Sequence, residues 1–287
     1  MNYYTILGLD KEPFSTSPEP DFFYQSLGHR TTLTNMLIEI QLRRGLSVVL
    51  GDIGTGKTTL SRKLFQQVSS REYLDFYMIL DPSYETEELF LISLIKTFGI
   101  EINMSHSNII EYKTAIKDFL FQKGVNENRI IILLIDEAQK LNPLSLEVLR
   151  MLLNYETNEF KLLQLMLLGQ MELLPSLNST KNLMDRVSSV QMLNPFSPLE
   201  TEEMIEFRIR QAGYMGQQKL FSDDAIKQIY KYTEGYPRRI GMLCHKALKL
   251  LVMRDKTSVD VEIIKELIDH EVKLRWQRPN ILLKSSC

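Results

Sequence analysis

Gly51-Asp52-Ile53-Gly54-Thr55-Gly56-Lys57-Thr58 spells G-x-x-x-x-G-K-T, a spacing that serves one piece of chemistry. The glycines let main-chain N–H groups close around the phosphates of a nucleotide. Lys57 then reaches the β- and γ-phosphates, and Thr58 places its hydroxyl on Mg²⁺. The expected binding residues run from Gly51 through Thr58 to Thr59. A second reactive group stands downstream, where Asp136 and Glu137 follow the apolar run Ile130–Ile135. An acidic pair in that place fits a Walker B motif, with Asp136 on the Mg²⁺ ligand sphere and Glu137 polarising the attacking water. Without the phosphate loop, the same pair would read as a solvated acidic turn. Two carboxylates this close repel, so one of them is expected to have a raised pKa when no cation is bound.

Three further polar residues have a functional and a bland reading. Gln170 ends the run Leu162–Leu168 and Gly169, where it orients water or touches the γ-phosphate, or is a surface glutamine. Arg186 precedes the run Val187–Leu193. It is either a finger donated to a neighbouring subunit's nucleotide or a salt-bridge partner of Asp185 or Glu159. Arg238 and Arg239 follow Pro237 at a helix start, where the macrodipole disfavours cations. Arg238 reaching a γ-phosphate is one reading, and two solvated arginines the other.

The elements that must hold these residues are legible as alternating apolar runs and helical patterns. Strands are expected at 46–50, 76–80, 130–135, 162–168 and 187–193. Helices are expected at 28–44, 57–69, 86–98, 107–123 and from Pro143, with Asn142 as its cap. Strands apolar on both faces and alternating with helices predict a parallel sheet covered on both sides. Ligands then bind at the carboxyl edge of that sheet. After Pro198 no strand-like run remains. Helices are expected at 200–212, 222–233, 237–253 and 258–276. Prolines and aromatics in residues 1–28 predict an extended arm packed on the main body. The resulting domains are an arm at 1–28, a nucleotide-binding core at 29–196, a helical lid at 197–276 and a loose tail at 277–287.

Composition excludes little. The 287 residues are 44% hydrophobic and 24% charged, with a net charge of −2, so nothing global points to nucleic acid. Cys244 and Cys287 form no metal spacing or disulfide framework. No apolar run is long enough to span a bilayer, and the N-terminus lacks a signal-peptide pattern. A cytoplasmic protein is expected, or one peripheral at the inner membrane through a partner.

Taken in order, these motifs resemble those of the AAA+ ATPases. The likeness is closer still to the ExeA/GspA-like family. It is carried by Tyr4, Leu7-Gly8-Leu9, Pro13-Phe14 and Pro20-Asp21-Phe22-Phe23-Tyr24 of the arm, by Leu134–Gln139 (L-I-D-E-A-Q), by Gly169-Gln170-Met171-Glu172-Leu173, and by Gly235–Ile240 (G-Y-P-R-R-I). The resemblance implies a P-loop αβα sandwich with a parallel five-stranded sheet, order 5-1-4-3-2, followed by a small four-helix lid. It implies ATP and Mg²⁺ as ligands, with Gln170 as sensor 1, Arg186 as the trans arginine finger and Arg238 as the sensor 2 arginine. Homo-oligomeric rings or filaments with ATP between subunits also follow from it.

Family members with known roles assist type II secretion or type IV pilus machinery, which makes a protein partner in an envelope machine the first expectation. Secretion members often continue into a transmembrane helix and a peptidoglycan-binding domain. This sequence shows neither, so a stand-alone ATPase acting through a partner is expected. Similar ATPases of the TnsC and MuB kind bind DNA, which would need a basic stripe drawn from Arg43-Arg44, Arg238-Arg239 or Lys273, Arg275 and Arg278. A third reading is a nucleotide-gated scaffold with little turnover. For the adenine pocket the candidates are Ile53 and the arm through Phe14 or Phe22.

Overall fold

A strand covered on both faces is buried at every position and so mostly apolar, and three segments of this chain meet that condition, with Ser47 and Gln164 the buried polar residues within them. The computed structural model describes residues 2–15, 20–103 and 108–282. In chain order the elements are α1 (Tyr3–Ile6), α2 (Leu27–Gln41), β1 (Leu46–Gly51), α3 (Lys57–Val68), β2 (Leu74–Ile79), α4 (Glu87–Phe98), α5 (Ile109–Phe121), β3 (Ile130–Ile135), α6 (Pro143–Leu152), β4 (Leu163–Gly169), α7 (Leu173–Ser179), β5 (Val187–Leu193), α8 (Pro198–Gln211), α9 (Asp223–Thr233), α10 (Pro237–Met253) and α11 (Val261–Leu282). β1, β3 and β4 are buried at every residue. They are the three inner strands of one sheet, in the order β2-β3-β4-β1-β5 with every pairing parallel. The expected P-loop topology therefore holds.

The register brings the chemistry to one edge. Leu50 lies beside Gly169, Gly51 beside Leu193, and Ile135 beside Leu167 and Ile79. The turns after β1, β3 and β4 thus emerge side by side at the carboxyl end of the sheet. Helix ends in this unit follow local chemistry. Thr86, Asn108 and Asn142 accept main-chain N–H groups at the starts of α4, α5 and α6, and Gly99 ends α4 in the left-handed region. β2 begins at Leu74, earlier than its apolar run suggests. Asp75 can lie within it because Arg129 at the start of β3 pairs with both of its oxygens.

The chain forms two compact units, Leu27–Asn194 and a second one made of residues 1–26 with 195–287. In the second unit Leu9, Phe14 and Phe22 share one core with Phe196, Ile205, Phe221 and Leu248. The arm is therefore built into the helical unit, where its aromatics find apolar partners. Phe14 meets Phe221 edge to face, with centroids 6.1 Å apart. The Asp10 and Lys11 N–H groups donate to the Ala212 carbonyl. Gly213 has φ +92°, and a Cβ there would collide with the Asp10 carboxylate.

The arm also departs from the extended reading. α1 lies upstream of the first proline, and Pro20 opens a single 3₁₀ turn, a position where proline is tolerated. α11 runs past Trp276 to Leu282, so it takes in residues 277–282 of the expected tail. Residues 283–287 of the expected tail lie outside the described residues, as do the side chains of Lys273, Arg275 and Arg278. Because Phe14 is fully buried, Phe14→Ala is expected to cost the helical unit about 3–5 kcal/mol. Urea unfolding followed by far-ultraviolet circular dichroism should show that unit melting earlier.

Candidate nucleotide-binding site

The loop between β1 and α3 is held open by its own main chain. Gly54 and Gly56 take φ +87° and +101°, conformations that suit glycine alone. Thr55 is fully buried, and its hydroxyl donates to the Asp52 carbonyl at 2.9 Å. The Thr55 carbonyl accepts a 2.9 Å bond from Nε2 of His29, a buried residue in the first turns of α2. A carbonyl only accepts, so His29 Nε2 carries a proton. α3 then starts at Gly56 with no side-chain cap, unlike α4, α5 and α6. Its first N–H groups are left for an anion, which the helix dipole also favours.

Lys57 is buried at the start of α3, and its ammonium donates to the Gly51 and Asp52 carbonyls at 2.6 and 3.0 Å. Burial pushes its pKa down, against the opposing pull of Glu137, Asp136 and Asp52. A cation held this way is poised for a phosphate. The Thr58 hydroxyl donates to Oδ2 of Asp136 at 2.7 Å, which joins the loop to the end of β3. Oδ1 of Asp136 accepts the Glu137 N–H at 3.0 Å. The pKa of Asp136 is raised, chiefly by desolvation, with the Glu137 charge a smaller cause. The expected upward shift is therefore present, but burial outweighs carboxylate repulsion.

Glu137 occupies the left-handed region, φ +52° and ψ +36°, uncommon for a residue other than glycine. Its Oε2 accepts from Gln139 Nε2 at 2.6 Å. Gln139 Oε1 in turn accepts the main-chain N–H of Gln170 at 3.1 Å. Gln170 is thus brought beside the acidic pair through its backbone. Arg186 lies at the opposite edge of the sheet from the loop, because the next residue, Val187, pairs with Leu46 at the start of β1. It donates to Asn154, not to Asp185 or Glu159, and its Nε is buried without a partner among the described residues. Arg238 belongs to the helical unit, exposed in the first turn of α10. Arg239 pairs with Glu234 and stacks on Tyr236.

The residues present fit a magnesium nucleotide. No cluster of three or more His, Cys, Asp or Glu suited to a metal occurs among the described residues. Mg²⁺ is commonly held by one or two protein oxygens together with substrate phosphates and water, and Thr58 with Asp136 supplies such a pair. The adenine candidates fare differently. Ile53 is 65% exposed on the loop, but Phe14 and Phe22 are sealed in the core of the helical unit and cannot offer a ring face to a base. Arg43 of the basic candidates is stacked 4.2 Å over Phe160 and bonded to Asn128.

Two residues of the site had no assigned role in the sequence. His29 could have been found on the buried stripe it shares with Leu33, Met36 and Ile40. Gln139 is part of the L-I-D-E-A-Q string, but nothing in the string says where its amide points.

The AAA domain family profile matches residues 40–177. The chain is 34% identical over 248 residues to general secretion pathway protein A of Aeromonas hydrophila, a match covering 86% of this chain and 44% of that protein. The chain therefore spans less than half the length of that relative. Among solved structures, Cdc6p of Pyrobaculum aerophilum superposes with a TM-score of 0.66 at 16% identity, over 88% of this chain and 69% of the other. The ORC2 protein of Aeropyrum pernix, solved as ADPNP-ADP complexes, gives 0.63 at 12% identity, over 88% and 71%. These two likenesses establish the fold.

Proposed function

The chain belongs to the AAA+ ATPases of the ExeA/GspA-like kind, and from that premise we propose that it binds ATP with Mg²⁺ and hydrolyses it between the subunits of a homo-oligomer. The observation that carries the reading is the 2.7 Å bond from Thr58 to Asp136, which joins the phosphate loop to the acidic pair at one sheet edge. Lys57 and the uncapped N-terminus of α3 bind the phosphates, and Gly51 to Thr59 wrap them. Bound Mg²⁺ would offset the phosphate charge and that of Asp136. Glu137 orients and polarises the attacking water. Gln170 senses the γ-phosphate, Arg238 does so from the lid, and Arg186 stabilises transition-state charge in a neighbouring subunit's site.

The relative's name supports a reading of the partner. The relative is a general secretion pathway protein, which supports a secretion machine as the partner; the family resemblance adds a type IV pilus machine, assembled or remodelled by ATP turnover. No helix among the described residues is long and apolar enough to cross a membrane; contact with such a machine through a partner protein at the inner membrane is part of this proposal.

Phosphate release by wild type and Glu137→Gln tests the reading. Wild type should turn over ATP, and the variant should bind it with unchanged affinity while losing activity by roughly 10²-fold or more. A wild-type protein that binds ATP without turnover would favour the scaffold reading. A variant with full activity would remove Glu137 from the mechanism.

A further inference from the structure

We propose that Gln139 is a positioning residue that aims the Glu137 carboxylate and ties it to the end of β4. The proposal rests on the reading of Glu137 as the water-polarising group. The backbone at Glu137 is left-handed, so no regular strand or helix dictates where its side chain points. Its direction has to come from a partner, and the partner present is Gln139 Nε2 at 2.6 Å. The other end of the same amide accepts the Gln170 N–H at 3.1 Å. A main-chain N–H can only donate and a carboxylate can only accept, so the amide has one orientation that satisfies both neighbours.

The surroundings hold that amide in place. Gln139 sits in the 3₁₀ turn Ala138–Lys140, closed by the Lys140 N–H on the Glu137 carbonyl at 2.9 Å. Ala138 and Leu141 on either side are buried in the sheet unit's core. At Gly169 an added Cβ would come within 3.2 Å of Gln139 Oε1 and 3.0 Å of Leu173 Cδ2, so glycine there leaves the amide its space. Asparagine at 139 would be a methylene too short. Glutamate would set a second carboxylate against Glu137. One side chain therefore spans the ends of β3 and β4, and displacement of the Gln170 segment is passed to Glu137.

Three variants of the full chain test this, by phosphate release, fluorescent-nucleotide binding and thermal melting. Gln139→Met keeps the volume and loses both bonds. Gln139→Glu keeps the acceptor for the Gln170 N–H and repels Glu137. Both should lower kcat by about 10–100-fold, the range seen for outer-shell partners, with KM, Kd and Tm unchanged. Normal kcat in Gln139→Met overturns the proposal, as does a parallel loss of Kd and Tm, which marks a purely structural role. Normal kcat in Gln139→Glu also overturns it, since the Gln170 bond alone would then suffice. If Gln139→Met fails to fold, Gln139→Glu decides. Glu137→Gln separates the two claims. If it retains turnover, the reading of Glu137 falls and this proposal with it. If it is inactive while the Gln139 variants are normal, only this proposal falls.

Discussion

Lys57→Ala should lose nucleotide binding almost entirely while leaving the nucleotide-free fold intact. The ammonium is buried at the mouth of α3 and bonded to the Gly51 and Asp52 carbonyls, which fixes the cation where the loop closes on a phosphate. Truncating one partner of a buried, hydrogen-bonded charge pair costs about 2–5 kcal/mol, or roughly 30-fold and upward in affinity. Stability should behave differently. A lysine whose pKa is lowered by burial holds its proton less tightly in the folded state, so its charge costs stability at neutral pH. Alanine removes that cost together with two hydrogen bonds, and the net change is expected within about 1 kcal/mol. Calorimetric titration with ATP alongside thermal melting checks both halves. Tight ATP binding by the variant would refute the role of Lys57.

Arg186→Ala should bind ATP normally and turn it over roughly 10³–10⁵-fold more slowly, the range known for arginine fingers. The argument is positional. Arg186 immediately precedes β5, whose first residue, Val187, pairs with Leu46, whereas the phosphate loop leaves β1 after Gly51. At about 3.3 Å per residue the two are roughly 16 Å apart along the sheet, beyond an arginine's reach to its own nucleotide. Its buried Nε also has no hydrogen-bond partner among the described residues. A finger presented to the next subunit accounts for both facts. Mixing Arg186→Ala with Glu137→Gln subunits should then restore activity. About a quarter of the interfaces in an equal mixture would combine an intact Glu137 with an intact Arg186, as a head-to-tail assembly requires. No recovery in proven mixed oligomers would count against a shared site.

What could be read from the chain, and what could not, follows from the range of the interactions. Gly51 to Thr58 and Asp136-Glu137 are legible because each motif is written in consecutive residues, and the strands before them are apolar but for Ser47. The strand order needed the likeness to known ATPases, since periodicity says nothing about neighbours. His29 and Gln139 were missed because each acts on a group in another element, Thr55 in one case and the Gln170 backbone in the other. Phe14 and Phe22 show the opposite error. An aromatic near a nucleotide motif suggests base stacking, yet tertiary packing placed both in a core completed far along the chain.

The arm's place in that core has a consequence for synthesis. Residues 27–194 are made between the arm and the helices it packs with. At ribosomal rates of about 5–20 residues per second, that delay is on the order of ten to thirty seconds. Throughout it, Leu9, Phe14 and Phe22 have none of the later helices to bury against, and an aromatic-rich segment in that condition invites chaperones and self-association. The sheet unit, whose residues are continuous, can finish folding meanwhile. The arm, made before the sheet, is therefore buried after it.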